Sequence, residues 1–522
     1  MQLETFLHHL QFSIDEIMNQ NTEVSWDDAP LPYKLYRDLP IIPLSLEVPL
    51  TLRDQNLSTE PTLETVGHFL WYTFGLTQFC QPTFNLEEQK TTNICRRFIP
   101  SGGALYPNEL YLYLKINNYP HGIYHYDVAH HRLILLREGD FDTYLSQALG
   151  NRCNLSACFG TVFVSTMFWK NFFKYNNFSY RLQGLDTGVL IGQLLEVSKQ
   201  FGYTSGVYFQ FLDRAINHLL GLSEQEESVY AVIPLSSHLA NEWFHHENTS
   251  GATFTSHELL QDLPLLQHEH FIRSKNITEY PMITKMNTAS MLESTESFRT
   301  MSEEADIVHS KQTLALPQVK QLSYDFAAVC QKRHSPDIDF VLRKIRSTQL
   351  ATLLQEASLS FPYQNDLDGK QLKMKSRVSL YGCFYNIDGI PNGAYSYNNS
   401  THTLEQIQLG DLRYPLYSGM TMDNVNLFQV PLCLHVIGNK DYFKHKLGYR
   451  GYRIQQMEAG ILVQKLVIAA SAMDMGGHPL LGFDANLCDK LYEIDTTRKT
   501  TLIQIPVGPY RPRTWLKGYL HS

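Results

Sequence analysis

Residues 180–202 read YRLQGLDTGVLIGQLLEVSKQFG, and residues 452–474 read YRIQQMEAGILVQKLVIAASAMD. The two stretches match from their opening Tyr-Arg onward, and each reads as a long amphipathic helix, over 183–199 and 455–471. The match extends beyond the helix. NNYPHGIYHYDVAHHRLILLREGDF (117–141) has a partner in NIDGIPNGAYSYNNSTHTLEQIQLGDL (386–412). There Gly122, Tyr124 and Tyr126 correspond to Gly393, Tyr395 and Tyr397, and Gly139-Asp140 to Gly410-Asp411. Asp213 corresponds to Asp484. All these pairs are 271 or 272 positions apart, so one ancestral unit occurs twice.

Each unit reads as α+β. A helix comes first (62–74; 321–332 with 342–357), then a strand near 109–116 or 377–385. A hairpin follows, its first arm GIYHYD or GAYSYN, then an apolar strand (160–166, 430–437), the long helix, and a last strand (228–234, 501–507). A duplicated unit fused in one chain packs as a pseudo-two-fold dimer when the ancestral isologous interface is kept. The chain thus divides into a lead-in (1–50), a first domain (51–240), a linker (241–318) and a second domain (319–522). The linker, rich in Ser, Thr, Glu and His, reads as partly irregular with one short helix.

Composition narrows the function. With 43% apolar and 18% charged residues the chain can bury a sizeable core. A net charge of -9 argues against a nucleic-acid surface. No apolar run approaches a membrane span, and the first residues, which mix acids and histidines into apolar positions, do not read as a secretory signal. The eight cysteines are scattered without zinc-type or CxxC spacing, which suits free thiols in a cytoplasmic protein. The pairs His130-His131, His245-His246 and His268/His270 lack recognised ligand spacing, so no metal site is expected. There is no P-loop, GxGxxG or nucleophile elbow.

One segment differs sharply between the halves. Residues 100–107 read PSGGALYP, two adjacent glycines and a serine leading into a core strand, whereas the second half has GKQLKMKSRVSLYG at 369–382. With the lead-in SWDDAPLPYKLYRDLPIIPLS (25–45), LWYTFGLTQ (70–78), PHGIYHYD (120–127) and FWKNFFKYNNFSYR (168–181), this turn resembles the SagB-type (McbC-like) dehydrogenases of the nitroreductase superfamily. The second half resembles the same superfamily through QKRHSP (331–336), KLGYRGYRIQQMEAG (446–460), MGGHPLLGFD (475–484) and IPVGPYRPR (505–513). The resemblance implies two tandem domains, each an antiparallel-rich sheet flanked by helices, with FMN between them. It further implies oxidation of thiazolines and oxazolines to thiazoles and oxazoles in a ribosomally made peptide.

In that superfamily one subunit supplies the Pro-Ser turn, and the other supplies an Arg-x-Ser phosphate motif, a glycine loop beside flavin N5 and C-terminal basic residues. Carried onto this sequence, the turn is Pro100, Ser101, Gly102 and Gly103. The phosphate set is Arg333 and Ser335 with Arg511 and Arg513, and the loop is Gly476, Gly477, Leu481 and Gly482. Phosphate needs positive charge and several donors, and flavin is approached by backbone where a Cβ is missing. The first half has LEVPLTLRD and IPLSSH at the two basic positions and Phe211 in place of Gly482, so one complete FMN site per chain is expected. Lys174-Tyr175 matches the family's proton-removing Lys-Tyr pair, against Lys446-Leu447 in the other half. A surface lysine beside a packed tyrosine is the plain alternative. An arginine common in that region is Phe178 here, which weakens the carry-over. Two rivals stay open: an NAD(P)H-dependent nitroreductase or quinone reductase, and a non-catalytic scaffold in a peptide-modifying complex. The expected partners are a peptide or small-molecule substrate and a cyclodehydratase complex.

Overall fold

The two matched helices, Ser179–Gln200 and Arg450–Ala472, lie against each other along their length and are buried almost throughout. Glycine permits the approach. A Cβ on Gly188 would fall 2.0 Å from the carbonyl oxygen of Met457, and one on Gly460 would fall 2.3 Å from that of Leu185. Each helical glycine costs about 1 kcal/mol relative to alanine, an expense that only such close packing offsets. Polar pairs fix the register: Gln464 Nε2 donates to Gln193 Oε1 (2.7 Å), Lys465 meets Glu196 (2.9 Å), and Tyr180 stacks on Tyr452.

This computed structural model of the chain describes residues 1–18, 24–52, 60–81, 94–301, 312–360, 362–369, 376–513 and 516–519. Outside the helix pair stand two sheets of matching order. The first runs Ile41–Pro43, Arg132–Glu138, Gly122–Asp127, Asn108–Leu114, Gly160–Met167, Glu227–Ser236, Thr204–Val207 and Gln364–Asn365. The second runs Thr313–Ala315, Thr403–Leu409, Gly393–Asn398, Ser379–Phe384, Leu432–Asn439, Lys499–Gly508 and Gly476–Gly477. Even the bulges repeat, between Ile123 and Tyr124 in one hairpin and between Ala394 and Tyr395 in the other. The pseudo-two-fold pairing of two α+β units is present as the repeat implies.

Strand alternation buries both faces of the first sheet. Leu110, Leu112 and Leu114 join the core shared with the long helices, while Tyr111 and Tyr113 face a second core on the outer side. The second half also lends two strands to the first. Gln364–Asn365 adds in parallel to the edge of the first-half sheet, and Leu516–Tyr519 pairs with Gln78–Gln81, which in turn pairs with Ile94–Arg96.

The stretch 241–318 carries more structure than one short helix. It holds helices Ser256–Asp262 and Pro281–Ala289, and its strand Thr313–Ala315 edges the second sheet as Ile41–Pro43 edges the first. It therefore contains the start of the second repeat. The lead-in begins with a helix, Leu3–Phe12, whose Gln11 donates to the carbonyl of Thr501 across the molecule (2.6 Å).

Candidate active site

The PSGG turn is held in a costly conformation. Gly103 (φ 64), Ala104 (φ 57) and Tyr106 (φ 47) all occupy the left-handed region, where a non-glycine residue loses roughly 1–2 kcal/mol. The surroundings compensate. Ser101 Oγ donates to Asp186 (2.6 Å) and accepts from the Tyr106 N–H (2.9 Å), and the Gly102 N–H points to the same carboxyl (3.4 Å). The Arg97 N–H donates to Tyr106 Oη (3.2 Å), and the Arg97 guanidinium lies on the Phe74 ring. The Ser101 hydroxyl is thus engaged in holding the turn. Strain maintained in this way is characteristic of functional sites.

Asp186 is a residue the sequence reading missed. It sits on the first long helix, buried and without a cation, and burial pushes its carboxyl up to about 7 against the pull of Ser101 and Gly102. The signal was available: Glu458 occupies the same place in the second repeat, an acid in both copies of a buried helix.

Lys174 and Tyr175 end the short helix Trp169–Tyr175 and reach over the turn. A Cβ built on Gly103 would lie 2.7 Å from Tyr175 Oη and 2.9 Å from Lys174 Nζ, so glycine there makes room for both. The ammonium lies over the rings of Tyr175 (4.8 Å) and Trp26 (5.4 Å). Burial lowers the Lys174 pKa, and burial, reinforced by Asp186, raises that of Tyr175.

The second half completes the site from the other side. Arg333 donates through Nε to the carbonyl of Phe98 (2.6 Å), two residues before the turn, and through Nη1 to Ser335 Oγ (3.3 Å). It is buried with no carboxylate partner among the described residues, and burial brings it down to about 10. Burial, then the neighbouring Arg96, Arg333 and Lys517, hold His334 neutral with a pKa near 3. Arg96 and Lys517, on the three-stranded sheet that joins the halves, were not foreseen from the sequence. A buried, uncompensated guanidinium among further cations suits a bound phosphate.

The glycine positions lie close by. Gly476 is crowded by Pro336 (2.3 Å from a built Cβ), and Gly477 packs on Val467. The Gly482 carbonyl accepts from the Thr421 N–H (3.0 Å), while its own N–H makes no hydrogen bond among the described residues. Leu481 is buried beside it. Turn and loop meet at the start of the first long helix, where Leu182 underlies Gly102 and the Arg181 guanidinium is 5.9 Å from the Phe483 ring. Two arginines stand apart: Arg513 is held by Asp337 and Asp339, and the side chain of Arg511 is exposed.

At the pseudo-symmetric position the space is filled by side chains. The Asp366 carboxylate accepts from the backbone N–H groups of Phe209 (2.8 Å) and Gln210 (3.0 Å) and pairs with Arg152. Arg450 binds Asp213 (2.7 Å) and the carbonyls of Phe209 and Ser290, lying 4.5 Å over the Phe211 ring. Glu458, the counterpart of Asp186, is bound by Arg377, which also meets Asp368. Residues 370–375, opposite the PSGG turn in the repeat, lie outside the described residues. Among the described residues no cluster of His, Cys, Asp or Glu is arranged to hold a metal, and no helix is long and apolar enough to cross a membrane.

Two sheets of matching order flank a paired helix core, and the strained turn of the first half lies near a cluster of cations from both halves. The nitroreductase family matches residues 389–509. A structure described as a nitroreductase from Anabaena variabilis superposes on 98% of this chain and 99% of its own, with TM-score 0.73 at 19% identity, a likeness of fold. The trifolitoxin-processing protein TfxB of Rhizobium leguminosarum bv. trifolii is 28% identical over 149 residues. That match spans 27% of this chain and 40% of the relative's length. The chain has the nitroreductase fold, its unit duplicated within one polypeptide.

Proposed function

We propose that this protein is an FMN-dependent dehydrogenase of thiazoline or oxazoline rings in a ribosomally made peptide, with one flavin site between its halves. The observation that carries the reading is the convergence of Lys174 Nζ and Tyr175 Oη on Gly103 of the strained turn. The residues fit FMN. Arg333 and Ser335 would hold the phosphate, with Arg96 and Lys517 adding charge. Pro100–Gly103 would face the ring system on one side, and Gly476, Gly477, Leu481 and the unpaired N–H of Gly482 on the other. When bound, FMN supplies the hydride acceptor.

Aromatisation of an azoline removes one hydride and one proton from ring carbons. Lys174, its ammonium destabilised by burial and paired with no carboxylate among the described residues, is suited to take the proton at Nζ. Tyr175 Oη, beside the same glycine, keeps the base oriented and can pass the proton on. The likeness to a protein named for trifolitoxin processing supports a peptide substrate, and a cyclodehydratase that forms the ring is the partner such chemistry requires.

Lys174→Ala tests the assignment. It should retain flavin and its yellow colour yet lose thiazoline oxidation by roughly 10²–10⁴-fold. The repeat counterpart Lys446→Ala should be nearly silent. Reduction of small nitroaromatics by NADPH needs no substrate proton removed and should survive in both. Full thiazoline oxidation by the Lys174 variant would remove the proposed base.

A further inference from the structure

Two segments outside the matched repeat, the lead-in and the linker, converge on the helix Trp169–Tyr175 and roof a chamber beside it. Asp28 fastens the roof by accepting the backbone N–H groups of Lys275 (2.6 Å) and Asn276 (2.9 Å), and Trp169 Nε1 donates to Ser274 Oγ (2.9 Å). The chamber, about 570 Å³ including its open mouth, is walled by Leu31, Met167, Trp169, Ile272, Ile277 and Tyr280. Phe271, Ile272 and Ile277 are 40%, 50% and 46% exposed, so the mouth offers apolar surface, with Arg273 and Glu226 at its edge, and leads between apolar walls.

The floor is charged but balanced. Lys34 pairs with Glu227 (2.8 Å), whose other oxygen accepts from Ser165 Oγ (2.5 Å), and Lys170 pairs with Glu109, which also meets His125 (2.9 Å). Each buried ammonium already has its carboxylate. On this floor a charged ligand would have to be desolvated beside ammonium and carboxylate groups already paired with each other, while an apolar one loses nothing there. The floor reaches the active site, because Lys170 Nζ also contacts the carbonyl of Tyr106 (3.4 Å) at the exit of the strained turn. The wall does so too: Trp169 and Phe173 lie 6.3 Å apart, Phe173 packs edge-on to Trp26 (5.6 Å), and Lys174 lies over Trp26.

We propose that this chamber seats an uncharged, apolar or aromatic side chain of the peptide, placed within a few residues of the ring handled at Lys174 and Tyr175. The proposal rests on the azoline reading for the identity of the ring, but the chamber can be tested without it. Trp169 and Lys170 stand one helical turn from Phe173 and Lys174, a rise of about 6 Å. An extended peptide covers that distance in about two residues.

The first arm uses the full-length protein labelled with 5-fluorotryptophan, the Trp169 resonance being assigned with Trp169→Phe. N-acetyl-phenylalaninamide should shift that resonance saturably, and N-acetyl-aspartamide should not. No shift with the phenylalanine probe, or equal shifts with both, overturns the proposal. The second arm compares two synthetic thiazoline peptides carrying Phe or Asp beside the ring. Wild type should prefer the Phe peptide, and the rim variant Ile277→Asp should reduce that preference in kcat/KM roughly tenfold, with far-UV circular dichroism verifying the fold. The filling variant Met167→Trp should act in the same direction. If Trp169 answers the phenylalanine probe while neither peptide is oxidised, the chamber stands and the azoline reading falls. If both peptides are oxidised equally and Trp169 stays silent, the chamber falls and the azoline reading stands.

Discussion

Asp186 shows how a buried residue reports on a site. Its carboxyl holds Ser101 and the Gly102 N–H without any cation to offset its charge, and burial raises it to about 7. In an unfolded chain an aspartate titrates near 3.9, so the folded protein binds the extra proton between those values. The contribution to stability is therefore present below pH 4 and is lost as pH rises toward 7, by about 1.4 kcal/mol per unit. Asp186→Asn in the flavin-free protein should raise the denaturation midpoint at pH 8 relative to wild type and flatten the slope between pH 4 and 7. An unchanged slope would mean that Asp186 is ionised throughout. Lys174, Tyr175 and the PSGG turn were legible in the sequence because each belongs to a short ordered motif. Asp186 showed only as an acid shared with its repeat counterpart Glu458, its turn partners lying more than eighty residues away, and Arg96 and Lys517 did not show at all, since their meaning comes from the other half.

Among the elements, the long helices were the most legible, because their pattern occurs twice in register. What the pattern does not reveal is how closely they approach. Gly188 and Gly460 decide that, each meeting a backbone carbonyl that cannot swing aside. Even a methyl group must then part the helices, and overpacking of this kind costs about 1–3 kcal/mol or more. Gly188→Ala should lower the thermal midpoint by several degrees, whereas Gly369→Ala, where a Cβ meets nothing within 4 Å, should leave it nearly unchanged. Equal midpoints for the two variants would contradict the close crossing. The linker was less legible than the repeats. Its helices and edge strand are fixed by distant contacts, such as Asp28 with Lys275 and Thr313–Ala315 with Thr403–Leu409, so local composition reads as loop. The two-residue strand Gln364–Asn365 is too short to carry any periodicity.

At the scale of the whole molecule, duplication in one chain removes the constraint that both sites be equivalent. A homodimer must build each site from the same sequence, but here the halves have diverged in complementary ways. The roofed chamber and the Lys-Tyr pair stand on the side of the first half's turn. On the other, Asp366 occupies backbone N–H groups beside Phe211, Arg450 locks Asp213, and Arg377 neutralises Glu458. These acids and arginines are held in buried ion pairs, although Arg450 Nη2 makes no hydrogen bond among the described residues, so a flavin there would have to break those pairs, a loss of about 3–5 kcal/mol apiece. By contrast, Arg333 is buried with no carboxylate paired to it among the described residues, and phosphate would supply a counter-charge. The purified protein should therefore carry one FMN per chain, measured as flavin absorbance against protein concentration. Arg333→Ala should weaken FMN retention by about 1.5–3 kcal/mol, tenfold or more in Kd, because a charge-assisted hydrogen bond is lost. Arg450→Ala frees an acid, not a phosphate site, so it should still bind one flavin even if it folds less stably. Two flavins per wild-type chain, or loss of flavin from Arg450→Ala with retention in Arg333→Ala, would reverse the assignment of the two sites.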